Sequence, residues 1–346
     1  MNDITLSTCE PQVLLSHLAL YGLAAILESE GAPGLRAGWT RGANPRPYVA
    51  VPAMDGAAAA SLISQHARSA QAEDSWLHRD ITLNGTPRAL MSPRLTSFGT
   101  GQTWRQAQAG RREVLDGLTA SRRWLDLRFL AALGEPCYWR RNRQGAILQD
   151  DGASRLEMQP RNQGSEFVGN RLRKLAAVVA ARDPGQIVAG LRGDIVCDEI
   201  GGDKPDSRTA TGLASPGPAD NALAWCALWG ISQLPLAMRV NAPATTSGHL
   251  GRSRSEWFYA PVWSGKWRPA RLRSILASAS LRVMAATGPD LELYSGTEVS
   301  AACSWLSARD VEGLVRFPIR RFGSDNAPER RAMRGELIPV PLQART

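Results

Sequence analysis

Two apolar segments, "LALYGLAAIL" at 18–27 and "CALWGISQLP" at 226–235, each place an aromatic and then a glycine where a helix should be running. Glycine costs about 1 kcal/mol relative to alanine in a helix interior. A glycine kept there marks close approach of another part of the chain to the helix backbone. Ala19/Ala227, Leu20/Leu228 and Gly22/Gly230 are identical across the echo, and Tyr21/Trp229 and Leu23/Ile231 are similar. The echo predicts two loosely related halves, each a helix packed on a small β-layer, with Tyr21 and Trp229 filling the space beside the glycines. That is a structural task, so both helices are left out of the candidate site.

The rest of the chain reads as α+β, without the regular βαβ alternation of a doubly wound sheet. Residues 11–30 predict a helix with Pro11 at its first turn and Gly31 at its exit. "LRAGW" and "YVAVP" predict a strand pair around a Gly/Asn/Pro turn, and "MDGAAAASLISQHARSAQ" an alanine-rich helix. A turn-rich, strand-like stretch at 81–104 precedes a long helical run, interrupted or bent near Gly117. "CYWRRNRQGAILQ" predicts a hairpin, and "SEFVGNRLRKLAAVVAARD" a helix ended by Pro184. The Gly-, Pro-, Ser- and Asp-rich segment 201–219 predicts a linker or long surface loop. It separates an N-terminal α+β region, 1–200, from a C-terminal one, 220–346. In the latter, "RSEWFYAPVW" predicts a strand and "RPARLRSILASA" a short basic helix.

The net charge is +9 over 346 residues, and only Lys174, Lys204 and Lys266 are lysines. A basic surface favours a polyanion, of which nucleic acid is the commonest. Arginine offers a planar fork for phosphate and a plane that stacks on bases. A GC-rich genome would produce the same bias, and composition leaves both readings open. Five cysteines, odd in number and far apart, show no CxxC or zinc-knuckle spacing, which reads as reduced thiols. The start lacks a signal peptide's basic region and the longest apolar run is too short for a bilayer. A cytoplasmic protein without membrane attachment is expected.

Arginines interleaved with aromatics are what a nucleic-acid groove needs, since the guanidinium takes phosphate and the ring takes a base face. "YWRRNRQG" sets Arg140, Arg141 and Arg143 beside Tyr138 and Trp139. "HLGRSRSEWFY" sets Arg252 and Arg254 beside Trp257, Phe258 and Tyr259. "GRREVLDGLTASRRW" adds Arg111, Arg112, Arg122 and Arg123, and "RFPIRRFG" and "PERRAMRG" are further basic stretches. The glycine-rich "SPRLTSFGTGQTWRQ" lacks a P-loop or dinucleotide fingerprint. Its backbone amides, with Arg94 and Arg105, still suit a phosphate backbone.

Catalytic patterns are sparse. The carboxylates Asp194, Asp198 and Glu199 near Lys204 could hold a divalent metal for phosphodiester hydrolysis, but match no two-metal spacing. None of the four histidines sits in a motif, and His17, on an apolar helix, reads as a satisfied core residue. No GxSxG elbow occurs. No enzyme, metal site or cofactor is expected.

The segments "LLSHLALYGLAAILESEG…LRAGWT…YVAVP", "SPRLTSFGTGQTW" and "DNALAWCALWGISQLPL…RSEWFYAPVWSGKWRPARLRSILAS" resemble a CRISPR-associated family. It comprises the Cascade subunits of type I-G (formerly I-U) systems, which are similar to diverged large subunits. The resemblance spans most of the chain in loose patterns. It implies a non-catalytic part of an RNA-guided surveillance complex, in which guide pairing reads sequence and protein reads shape and a flanking motif. The implied partners are crRNA and/or target DNA, other Cascade subunits and a recruited helicase-nuclease. The chain is short for a large subunit. Two alternatives stand beside this reading: a metal-dependent nuclease using Asp194, Asp198 and Glu199, and a purely structural assembly subunit. The candidate nucleic-acid-binding residues are Arg94, Arg105, Arg140, Arg141, Arg143, Arg252 and Arg254.

Overall fold

The computed structural model describes residues 2–95, 101–145, 148–156, 167–252, 255–288, 296–323 and 329–341. The chain is mixed α+β with small antiparallel sheets. The expected strand pair forms as β2 (Arg36–Trp39) and β3 (Pro47–Val51), with β1 (Asn2–Thr5) on the other side of β3. Between β1 and β2 runs α1 (Leu14–Ser29). Pro11 lies outside its first turn; its carbonyl instead accepts a hydrogen bond from His17 Nε2 at 2.7 Å, which satisfies that buried ring.

The Asp55 carboxylate caps α2 (Gly56–Gln71) by accepting from the Ala58 amide at 2.8 Å. A two-residue turn, Asn84-Gly85, joins β4 (Asp80–Leu83) to β5 (Thr86–Ala89). Both turn residues have positive φ, as a tight hairpin requires. The long helical run is interrupted, four residues past Gly117. Its first part is α3 (Gly101–Ala120), and the chain turns at Arg122, with φ 56°, into α4 (Trp124–Leu133). A π-helical turn, Val168–Leu172, leads into α5 (Arg173–Ala181). Pro184 then opens α6 (Pro184–Arg192), where Asp183 and Gln186 form a capping box.

The second glycine helix is α7 (Asn221–Gly230). Every residue of α1 from Leu14 to Leu27 and all ten of α7 are buried, as expected of helices apolar all round. They cross at the echoed glycines. A methyl group built on Gly22 would overlap the Cys226 carbonyl and lie 2.6 Å from the Gly230 nitrogen. One built on Gly230 would overlap the Leu18 carbonyl. The glycines therefore pack against each other's helix. Only α1 meets the expectation of a β-layer, facing β3; α7 rests on α1, α5 and α6. Tyr21 stacks toward Trp263 at 6.5 Å, and Trp229 meets His66 and Phe129, each at 4.5 Å.

Beyond α7 come the short pair β6 (Leu236–Ala237) and β7 (Thr245–Thr246), then β8 (His249–Arg252) and β9 (Ser255–Trp263). Three helices follow: α8 (Pro269–Leu276), α9 (Ala279–Thr287) and α10 (Thr297–Ser307). The 12-residue β10 (Val311–Phe322) pairs on one side with β9 and on the other with β11 (Glu329–Ala332) and β12 (Glu336–Pro339). This makes an antiparallel sheet in the order β11-β10-β9-β8.

Segment 201–219 is built of turns, yet it is no slack linker. Asp198 is fully buried and accepts from the Ser207 and Thr209 hydroxyls, the Asn221 amide at 3.0 Å and the Gly201 N–H at 2.9 Å. The loop's carbonyls reach both sides of the proposed boundary: Leu213 accepts from Leu15 N–H at 3.1 Å and Gly212 from Ala332 N–H at 2.8 Å. One buried cluster takes in residues from 1–200 and 220–346 alike. Gly, Ser and Asp compose tight hydrogen-bonded turns as readily as tethers, so composition could not separate the two.

Candidate nucleic-acid interface

The large sheet gathers three basic stretches that are far apart in sequence. Register sets Arg320 opposite Arg331 and Arg321 opposite Arg330, while Arg252 ends β8 opposite Ser255 of β9. Alternate residues of a strand share a face. One face thus carries Arg316, Pro318, Arg320 and Phe322 of β10, with Trp257 and Tyr259 of β9, Leu250 of β8, and Glu329 and Arg331 of β11. The other carries Arg321 and Arg330 beyond Glu256, His249 and the buried Phe258 and Phe317.

Two of the described acids at this end, Glu329 and Glu256, are already committed, while Glu336 of β12 stands exposed opposite Arg316. Glu329, buried, pairs with Arg208 and with Arg331 Nε at 2.7 Å. Burial alone would raise the Glu256 carboxyl; the His249 imidazole 3.7 Å away and the Arg155 and Arg330 charges outweigh it and hold the group below the usual range. Among the described residues, neither Arg320 nor Arg321 has an acidic partner, and both are exposed. Like charges placed directly opposite on paired strands are destabilising by roughly 0.2–1 kcal/mol. Aromatic rings lie among them. The Arg331 guanidinium sits over Phe322 at 4.5 Å, and that of Arg316 over Trp257 at 4.8 Å.

The sequence-predicted residues do not converge. Arg94 is buried and donates to the Ser154 carbonyl at 3.3 Å, so it is turned away from any outer groove. Arg105 is exposed on α3. Arg140 pairs with Asp151 at 2.6 Å, Arg141 donates to the Gly145 carbonyl at 2.8 Å and closes its own turn, and Arg143 is exposed. Arg252 belongs to the sheet described above; Arg254 lies outside the described residues. The α3–α4 cluster also dissolves. Arg111 is buried, donating to the Leu90 carbonyl at 2.9 Å and the Gly134 carbonyl at 3.3 Å, and burial lowers its pKa to about 10. Arg123 pairs with Asp126 at 2.9 Å.

The arginines of "RFPIRRFG" and "PERRAMRG" are not among the candidates that clustering beside aromatics and glycines picks out. The signal was there: two strand-like pieces, each with an Arg-Arg step, separated by a short connection. Pairing them as a hairpin would have placed arginine opposite arginine.

Two of the three carboxylates of the nuclease alternative, Asp198 and Glu199, are engaged in contacts within the chain. Asp198 is enclosed by its four donors, whose hydrogen bonds outweigh the burial that would raise its carboxyl and hold it below the usual value. Glu199 pairs with Arg182 at 2.6 Å, and Arg182 also grips Asp220, the cap of α7. Asp194 is exposed. Among the described residues no three His, Cys, Asp or Glu side chains group to hold a metal ion, and no helix is long and apolar enough to cross a membrane. No family model matches the sequence, and no curated protein does.

Proposed function

We propose that this chain is a nucleic-acid-binding, non-catalytic subunit of an RNA-guided surveillance complex of the CRISPR Cascade type. The arginine-against-arginine pairing of β10 and β11, with Glu329 already engaged by Arg208 and Arg331, carries the nucleic-acid part of this reading. An isolated protein gains nothing from that opposition, whereas a phosphate backbone neutralises it with bidentate contacts. The assignment to a surveillance complex rests on the resemblance of α1, α7 and the β9–α8 stretch to the type I-G subunits. In this reading the sheet end holds crRNA or target DNA, and apolar surface such as exposed Trp124 and Val240 meets neighbouring subunits.

The test is to purify the tagged protein from its host at moderate salt and sequence the RNA that accompanies it. Discrete RNAs sharing a repeat-derived end are expected, and they should be depleted when Arg320 and Arg321 are both alanine. Partner proteins retained without any RNA crosslink to this chain would instead make it a structural subunit. A random RNA spectrum, lost at slightly higher salt, would overturn the surveillance role.

A further inference from the structure

The basic end of the large sheet carries two cation–ring stacks on one face, and their spacing says what kind of strand can use both. Trp257 stands opposite Pro318 in the register, and Phe322 lies four residues further along β10 on the same face. At about 3.3 Å per residue the two rings are roughly 13 Å apart along the strand. Bases stacked in a duplex rise only about 3.4 Å each and offer edges and phosphates, with their faces already covered. Nucleotides touching both rings must therefore be unstacked from one another.

The rings are held ready for this. Glu329, anchored by Arg208, holds Arg331, and Arg331 in turn lies over Phe322. Phe322 nevertheless stays 37% exposed. Trp257 is half-buried under Arg316, whose guanidinium occupies the space a side chain at Gly288 would need. Between the two stacks, on the same face, stands exposed Arg320. A phosphate between two splayed bases would meet this guanidinium.

Resting on the nucleic-acid reading above, we infer that this face binds single-stranded nucleic acid in extended form, stacking a base at Phe322 and another at Trp257 with an intervening phosphate on Arg320. Duplex is not its ligand. RNA and DNA strands share this chemistry, and the stacking is indifferent to base identity because every base has a π-face.

The experiment is fluorescence anisotropy with the full chain and three probes at equal salt: a 20-nucleotide oligouridylate, a 20-nucleotide oligothymidylate and a 20-base-pair duplex. At least one single strand is expected to bind about tenfold or more tightly than the duplex, and the tighter of the two identifies RNA or DNA. Phe322→Ala and Phe322→Leu should each weaken single-strand binding about tenfold, the scale of one lost base stack, without altering the salt slope. Arg320→Ala should lower that slope by about 0.7, one single-strand phosphate contact. Equal or tighter duplex binding, or wild-type affinity in Phe322→Leu, would overturn the single-strand inference while leaving nucleic-acid binding in place. Failure to bind any of the three probes would overturn both.

Discussion

At the α1–α7 crossing, side chains have been removed so that two backbones can touch. At the outer end of the large sheet, four arginines are set opposite one another, and only Arg330 and Arg331 have acids near them. The first region is buried throughout and its polar backbone is satisfied within the helices. In the second, Arg320 and Arg321 are exposed and have no acidic partner among the described residues. A region whose every choice favours the folded state is explained by the fold. A region that costs the fold stability is where a ligand has to be sought.

The largest effect that could break this comparison lies at the crossing. Gly22→Ala or Gly230→Ala should cost about 3 kcal/mol or more, since a methyl would meet carbonyl groups that only a helix shift can move. Chemical denaturation measures it. A cost below about 0.5 kcal/mol would mean that the helices slide apart freely and that the glycines are not the reason for the packing.

Next in size is a pH effect confined to the buried side. Burial lowers both His17 and His66 to about 4 from an ordinary 6.5. Between those values the unfolded chain binds protons that the folded chain refuses, so stability rises with pH across this window. Each histidine should therefore withdraw up to about 3 kcal/mol as pH falls from 6.5 to 4. His66→Leu should flatten its share of the slope in thermal melts at stepped pH; an unchanged slope would assign the proton uptake elsewhere.

A smaller effect tests whether the two regions are joined. Segment 201–219 touches α1 through Leu213 and β11 through Gly212, and Asp198 holds it in place. Asp198→Asn turns an all-acceptor group into one that faces its own donors, at about 2 kcal/mol. Because this carboxyl is held below its usual value, its stabilisation is full above about pH 4 and is lost as pH falls further. Hydrogen exchange should show earlier opening in the loop and in both flanks. Opening limited to the loop would show the regions to be independent.

The smallest stability change is expected at the sheet end. Replacing both Arg320 and Arg321 by alanine relieves two like-charge oppositions and should leave stability unchanged or raise it by about 0.5 kcal/mol. The same variant should bind nucleic acid more weakly and with a shallower salt dependence. A clear loss of stability would show these arginines to be structural.

Most of the local elements were legible in the chain. The strands β2, β3 and β9, the helices α2, α7 and α8, and the boundary at Pro184 follow from alternation, apolar runs, caps and proline geometry, all of which act within a few residues. The two internal glycines likewise announced close approach to a helix backbone. What approached was not legible, because Gly22 and Gly230 are far apart in sequence and nothing local distinguishes a helix partner from a β-layer. The site shows the same limit. Arginine clusters are visible as strings, but Arg94 and Arg111 turn inward to carbonyls and Arg140 is spent on Asp151. Local pattern determined which segments became helices and strands and that the surface would be basic. Tertiary structure alone decided which arginines stayed exposed, because strand register and the reach of a buried carboxylate or carbonyl depend on contacts between residues far apart in the chain.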